Sequence, residues 1–349
     1  MLTQSDRTET FQLGSIMYLN RFGRRVSSAS FAGLLTILFL TTFVGSVSAQ
    51  EWPAKPVKII VSTPAGGAPD ILCRIIADKL SQAIGQNFIV DNRPGGANSI
   101  GSQAAARSAP DGYTLFFASA AALVSNPYTF KSLPYNPATD FVAVAKVAEG
   151  PFVFLANPNV GATTISEVIA LEKKDPGKLA FVTDGKRSFA GMLVAWFNKL
   201  VGVNILQVPY VAMPQGVQDA VAGRVPLIVL ALPIGAPFIA SGALRPLAVS
   251  TSKRANGYEK IPSITETIPG LDFSGWFAFV APAGTPPAIV QRANRAIDKV
   301  LKDPEIVSRF QTLGFYTDGA DTPEGTSAYI KKQYELWATI VKEIGLEPE

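Results

Sequence analysis

The 349-residue chain has no histidine and a single cysteine, Cys73. Without histidine there is no Ser-His or Cys-His nucleophile pair, no imidazole general base and almost no route to a zinc site. Most hydrolase mechanisms go with it. One cysteine forms no intrachain disulfide, and Cys73 falls in the apolar phase of a predicted helix, where a free thiol packs as a small hydrophobe. There is no Lys/Arg run that would follow a phosphate backbone, so nucleic acid is not an expected partner. Apolar runs fall short of the roughly 20 residues that span a bilayer. A Gly-x-Ser-x-Gly nucleophile elbow is also missing.

What is present begins with a leader. Arg21, Arg24 and Arg25 precede an apolar run from Phe31 to Val44, and Val47-Ser48-Ala49 supplies small residues for a signal peptidase. Cleavage is expected after Ala49, with periplasmic export. No Cys stands at the cut for a lipid anchor. Met1 or Met17 could be the start. Residues 1–49 carry four of the 31 basic and two of the 27 acidic side chains, so the exported part, with 27 and 25, is near neutral.

About 300 residues then remain, more than one core usually supports, so two domains are expected. Short β-rich runs alternate with helical periodicity. Strands are predicted at 57–62, 88–90, 114–118, 142–147, 179–182, 205–208, 226–231 and 246–249. Helices are predicted at 69–84, 99–106, 165–173, 191–200, 215–221 and 287–301. This is an α/β pattern with mainly parallel sheets, in which ligands sit at the carboxyl ends of strands. Gly275-Trp276-Phe277-Ala278-Phe279 reads as a crossing between domains. Trp276, Phe277, Trp196 and Phe197 read as core.

Two strand-to-helix loops have anion-binding chemistry. Ser62-Thr63-Pro64-Ala65-Gly66-Gly67-Ala68 can turn backbone N–H groups toward one point near a helix start. Thr183-Asp184-Gly185-Lys186-Arg187-Ser188 adds two cations and hydroxyls. From spacing alone, the first also fits a tightly packed turn and the second a solvated, charged one.

The motifs Pro64-Ala65-Gly66-Gly67-Ala68-Pro69-Asp70, Asp91-Asn92-Arg93-Pro94-Gly95-Gly96 and Ala109-Pro110-Asp111-Gly112-Tyr113-Thr114-Leu115 resemble the substrate-binding proteins of tripartite tricarboxylate transporters, the Bug family. Val208-Pro209-Tyr210, Gly242-Ala243-Leu244-Arg245 and Ala281-Pro282-Ala283-Gly284-Thr285-Pro286 continue the likeness in order, from about Trp52 to the C-terminus. The resemblance implies a type II periplasmic binding protein, two α/β domains around a ligand cleft, with 50–152 and 277–349 as one domain and 153–276 as the other. It implies a monomer that holds a small organic carboxylate, serves membrane transporter subunits, and uses no cofactor, metal or catalytic residue. The implied ligand contacts are Thr63, Ala65, Gly66, Gly67, Ala68 and Asp70; Ser119 and Ala120; Thr183, Asp184, Gly185, Lys186, Arg187 and Ser188; and Leu232.

The sequence departs from the family in the second loop, where Arg187 replaces a glycine, Ser188 a threonine and Gly191 a histidine. Leu230 and Ala231 stand where polar residues are common. A carboxylate with an apolar, even aromatic, body gripped by Arg187 is therefore expected. Two other readings are a protein that presents its ligand to a membrane sensor, and a histidine-free hydrolase using Ser188 with Lys186 or Asp70 with Asp184.

Overall fold

The computed structural model describes residues 52–349; the leader expected at 1–49 lies outside them. The chain runs through β1 (Val57–Val61), α1 (Ala68–Ile84), β2 (Phe88–Asn92), α2 (Ser99–Ala106), β3 (Thr114–Ser119) and the short α3 (Asn126–Thr129) into the long β4 (Phe141–Ala156). Then follow α4 (Ile165–Lys174), β5 (Ala180–Thr183), α5 (Phe189–Val201), β6 (Leu206–Pro209), α6 (Met213–Val221), β7 (Leu227–Ala231), α7 (Leu232–Ala240) and β8 (Arg245–Val249). The last elements are β9 (Ser274–Pro282), α8 (Pro287–Leu301), α9 (Pro304–Thr312) and α10 (Pro323–Ile344).

Local chemistry explains these elements. In β1, Val57, Ile59, Ile60 and Val61 are buried and only Lys58 is exposed, as expected of a strand covered on both faces. α1 starts on Gly67 with Pro69 in its first turn, and ends where Gly85 takes φ 78° and donates its N–H to the Ser81 carbonyl. Its inner face carries Leu72, Ile76 and Leu80, with Cys73 fully buried beside them. Burial pushes the Cys73 thiol well up, so it is a packing group.

The strands form two sheets that share β4. The first has the order β2-β1-β3-β9-β4; the second continues from β4 through β7 and β5 to β6, with β8 also on β4. The sheets are mixed, not mainly parallel. β1 is parallel to β2 and β3, and β5 to β6 and β7, but β4 and β9 run antiparallel to every neighbour. The cause is connectivity. One strand carries the chain out of the first sheet and the other brings it back, so the two must oppose each other. Pro151 pairs with Ser274 at the last step of the first sheet, and Phe152 pairs with Ala231 at the first step of the second. The expected crossings, at 152/153 and 276/277, lie on these two strands.

One apolar core runs under both sheets. It includes Phe116 and Trp276 from the first and Phe154 and Phe181 from the second, closed by Phe197 of α5 and Trp337 of α10. Trp196 and Phe277, read as core, are also buried. α10 touches both halves. Its Thr326 hydroxyl accepts the Lys146 N–H at 2.9 Å, whereas Trp337 packs on Phe189 and Phe273, and Glu343 accepts the Trp196 indole N–H at 3.0 Å.

Candidate functional site

Strand register gathers the candidate residues into two groups. Val61 is the partner of Phe117 on parallel strands, so the loop after β1 and Ser119-Ala120 at the end of β3 emerge side by side. Val182 is likewise the partner of Ile228, so the loop at 183–188 emerges beside Ala231-Leu232. Ser119 in turn pairs with Phe277 on β9, and Ala231 with Phe152 on β4. Both groups therefore sit at carboxyl ends of parallel strands and border the two strands that pass between the sheets. This is where open α/β sheets bind ligands.

The first loop is braced from inside. Asp70 is 2% exposed, and its carboxylate accepts the Gly66 N–H at 2.8 Å, the Arg74 Nε–H at 3.1 Å and the Asn92 amide at 2.9 Å. Burial alone would raise the pKa of Asp70. The bonds from Arg74, Gly66 and Asn92 outweigh it and hold the carboxyl below its usual range. Asp70 thus faces into the loop and engages one of the amides, Gly66, that the sequence offers to an anion. Asn92 also donates to the Thr63 carbonyl at 3.1 Å, and the Ser62 hydroxyl donates to Asn98 at 3.0 Å. The Thr63 hydroxyl oxygen is buried and has no hydrogen-bond partner. A buried hydroxyl without a partner is costly, and in a strand-end loop it suits a bound polar group. On the neighbouring strand, Ala120 is buried and the Ser119 hydroxyl accepts the Ala122 N–H at 3.4 Å.

The second loop is braced from outside. Ser188 caps α5, accepting the Gly191 N–H at 2.9 Å and donating to the Gly185 carbonyl at 2.7 Å. Gly185 takes φ 117°, and the loop folds so tightly onto the helix that a Cβ on Gly191 would lie 2.0 Å from the Gly185 carbonyl oxygen. This chain therefore needs glycine at 191. Arg187 reaches the C-terminal segment: its Nη1 donates to the Glu347 carbonyl at 2.6 Å and its Nε lies 2.8 Å from the Glu349 carboxylate. Glu349 is itself anchored on the first-sheet half, donating to the Thr129 carbonyl at 3.1 Å and accepting the Lys131 N–H at 3.0 Å. Asp184 and Lys186 are exposed, Thr183 and Leu232 buried. The Arg187 partner, 160 residues away, carries no local sequence signal.

The geometry does not assemble a nucleophile. The Ser188 hydroxyl is bonded to Gly185 and Gly191, not to Lys186, and Asp70 lies on α1 beside the first sheet whereas Asp184 lies in the loop after β5 of the second. Ser250 and Lys253 have Ser-x-x-Lys spacing, which sequence reasoning passed over. The Ser250 hydroxyl is buried, however, donating to the Phe273 carbonyl at 2.5 Å and accepting the Phe152 N–H at 2.9 Å. Among the described residues, no group of three His, Cys, Asp or Glu side chains could hold a metal.

A concavity of about 690 Å³ opens beside the second loop. Asp184, Phe152, Leu230 and Ala231 line it together with residues of α6 and α7. Phe152 was not among the sequence candidates; its position opposite Ala231 is a matter of register alone.

A family model described as the tripartite tricarboxylate transporter family receptor matches residues 72–346. A UPF0065 protein of Bordetella bronchiseptica is 34% identical over 315 residues, covering 90% of this chain and 93% of its own. "Protein BugT" of Bordetella pertussis is 34% identical over 312 residues, covering 88% and 95%. Among solved structures, that of R. palustris Rpa4515 with adipate is 29% identical, with a TM-score of 0.73 over 86% of this chain and all (100%) of that one.

Proposed function

Because the chain belongs to the tripartite tricarboxylate transporter receptor family, we propose that it captures a small organic carboxylate between two lobes and delivers it to membrane transporter subunits. It is a solute-binding protein and not an enzyme. The observation that carries the ligand reading is that each of the two strand-end groups borders the β4/β9 crossing, each with loop amides and a helix start. Adipate in the related Rpa4515 structure supports a carboxylate.

In this reading the chain is exported to the periplasm by cleavage after Ala49 and acts as a monomer. One lobe comprises 50–152 and 277–349, the other 153–276, and they close on the ligand by bending at the two crossing strands. One carboxylate lies near Thr63, Ala65, Gly67 and Ala68, and near Gly185 to Ser188 across the cleft. Arg187 already grips a carboxylate, that of Glu349, at 2.8 Å. A ligand using the same guanidinium would take the place of Glu349.

Native mass spectrometry of periplasmic protein, followed by titration calorimetry with carboxylates and their amides, tests this. Acids are expected to bind and amides not. At a hundredfold excess over Kd, ligand should add about 2.7 kcal/mol of stability, with a smaller radius of gyration by X-ray scattering. Equal affinity for acid and amide would overturn the reading.

A further inference from the structure

We infer that the concavity beside the second loop is an annex of the binding site that takes the hydrocarbon body of the ligand, so that the solute is an amphipathic monocarboxylate with a chain or ring of some length. This rests on the carboxylate reading above.

The walls are built from helical spacing. On α6, Met213, Val217 and Val221 stand at intervals of four and form one row; on α7, Ile234 and Phe238 do the same. Leu230, 4% exposed, belongs to the lining between the two rows. From Met213 to Ala222 the groove follows α6 for about 13 Å at the rise of a helix. Its volume, about 690 Å³, is that of a small-molecule site. Apart from Asp184 and Gln218 its lining is apolar; Gln218 is the one side-chain donor, and no wall residue supplies the cations that a hydroxylated di- or tricarboxylate needs along its length.

Three features make a ligand body the fitting occupant. The groove is continuous with the proposed carboxylate site, because Asp184 belongs to the loop at 183–188 and Ala231 precedes Leu232 at the neighbouring strand end. Its apolar rim is open, with Ile234 56% exposed and Val221 36% exposed. A second carboxylate deep in the groove would meet no partner and lose its hydration, whereas a methylene gains by leaving water.

The test is a series of linear monocarboxylates from butanoate to decanoate, below their micellar concentrations, titrated calorimetrically into the intact secreted protein. Affinity should rise about fourfold per added methylene, the equivalent of about 0.8 kcal/mol per buried CH2, and level off once the groove is full. Ile234→Asp, at an exposed position, should flatten that slope. Val211→Asp, fully exposed and outside the groove, should leave the slope as it is. A flat series in the parent protein overturns the inference without any variant. If acids still outcompete amides, the carboxylate reading survives that loss; if acids and amides bind alike, the reading itself has failed. A dimer by sedimentation velocity that Ile234→Asp dissolves would assign the groove to a second copy and also overturn the inference.

Discussion

The loops at 62–67 and 183–188 look alike in sequence, each a strand, a glycine turn and a helix start, yet opposite means hold them. In the first, the charge is buried and turned inward: Asp70 ties Gly66, Arg74 and Asn92 into one unit. In the second, the charge points outward, and Arg187 is tied to Glu347 and Glu349, the latter attached to the other sheet's half through Thr129 and Lys131. The first loop is therefore fixed within its own half. The second is fixed relative to the far half, so its cation is sensitive to anything that moves one half against the other.

The harshest way to break this contrast is through the glycines that each loop packs on. Gly191→Ala sets a Cβ 2.0 Å from the Gly185 oxygen, against a backbone atom that cannot move alone. It should cost about 3 kcal/mol in denaturant melts and abolish calorimetric ligand binding. Gly101→Ala meets the Ser62 Cα at 2.8 Å and should harm the first loop to a lesser degree, by about 1–2 kcal/mol.

Next comes the inward brace. Asp70→Asn removes a buried ionised acceptor and should lower stability by about 2–3 kcal/mol near neutral pH. The folded pKa of Asp70 is depressed, so its contribution is present above the unfolded value of about 3.9 and is lost as the pH falls through the lower folded value. The gap between parent and variant melts should therefore be widest at neutral pH and close on acidification below about pH 4.

The outward brace should affect stability least and binding more. Arg187 and Glu349 form a partly exposed pair, worth about 0–1 kcal/mol. Arg187→Ala should leave the melting curve nearly unchanged yet weaken carboxylate binding by about ten to a hundredfold. Glu349→Gln should strengthen binding a few fold, since it removes an internal competitor for the guanidinium. Equal weakening by both variants would instead make Arg187 a strap to the tail that ligand never touches.

Much of this was legible from residue order. Helices 99–106 and 287–301 have the predicted ends, the latter because a proline at its start and apolar spacing leave little choice. The long β4 was read only at 142–147, and β9 only as a crossing. Both are apolar runs without alternation, because strands shared between covered sheets bury both faces. α7, α9 and α10 were not anticipated. α7 contains Pro237, a residue that argues against a helix, and its hydrophobicity is spread around the axis. At the site, the loops were visible as glycine turns, but their bracing was not. Asp70 looks the same in sequence whether it faces a ligand or a helix. The neighbours that decide are remote: Asn92 lies 22 residues from Asp70, and Glu349 stands at the far end of the chain from Arg187.

The double attachment of α10 has a mechanical consequence. Two adjacent strands crossing between two bodies behave like a leaf spring, which bends readily in one direction and also tolerates torsion. A stiff rod of 22 residues, fastened to the spring itself where Thr326 bonds Lys146 and Tyr329 packs on Trp276, and to the second body where Glu343 holds Trp196, limits torsion more than it limits the bend. Under the proposed closure, such a rod favours motion along a single arc that returns the strand ends to the same alignment. If the rod were loosened at Trp337 or Glu343, the two bodies would gain rotational freedom before they lost any part of their folds.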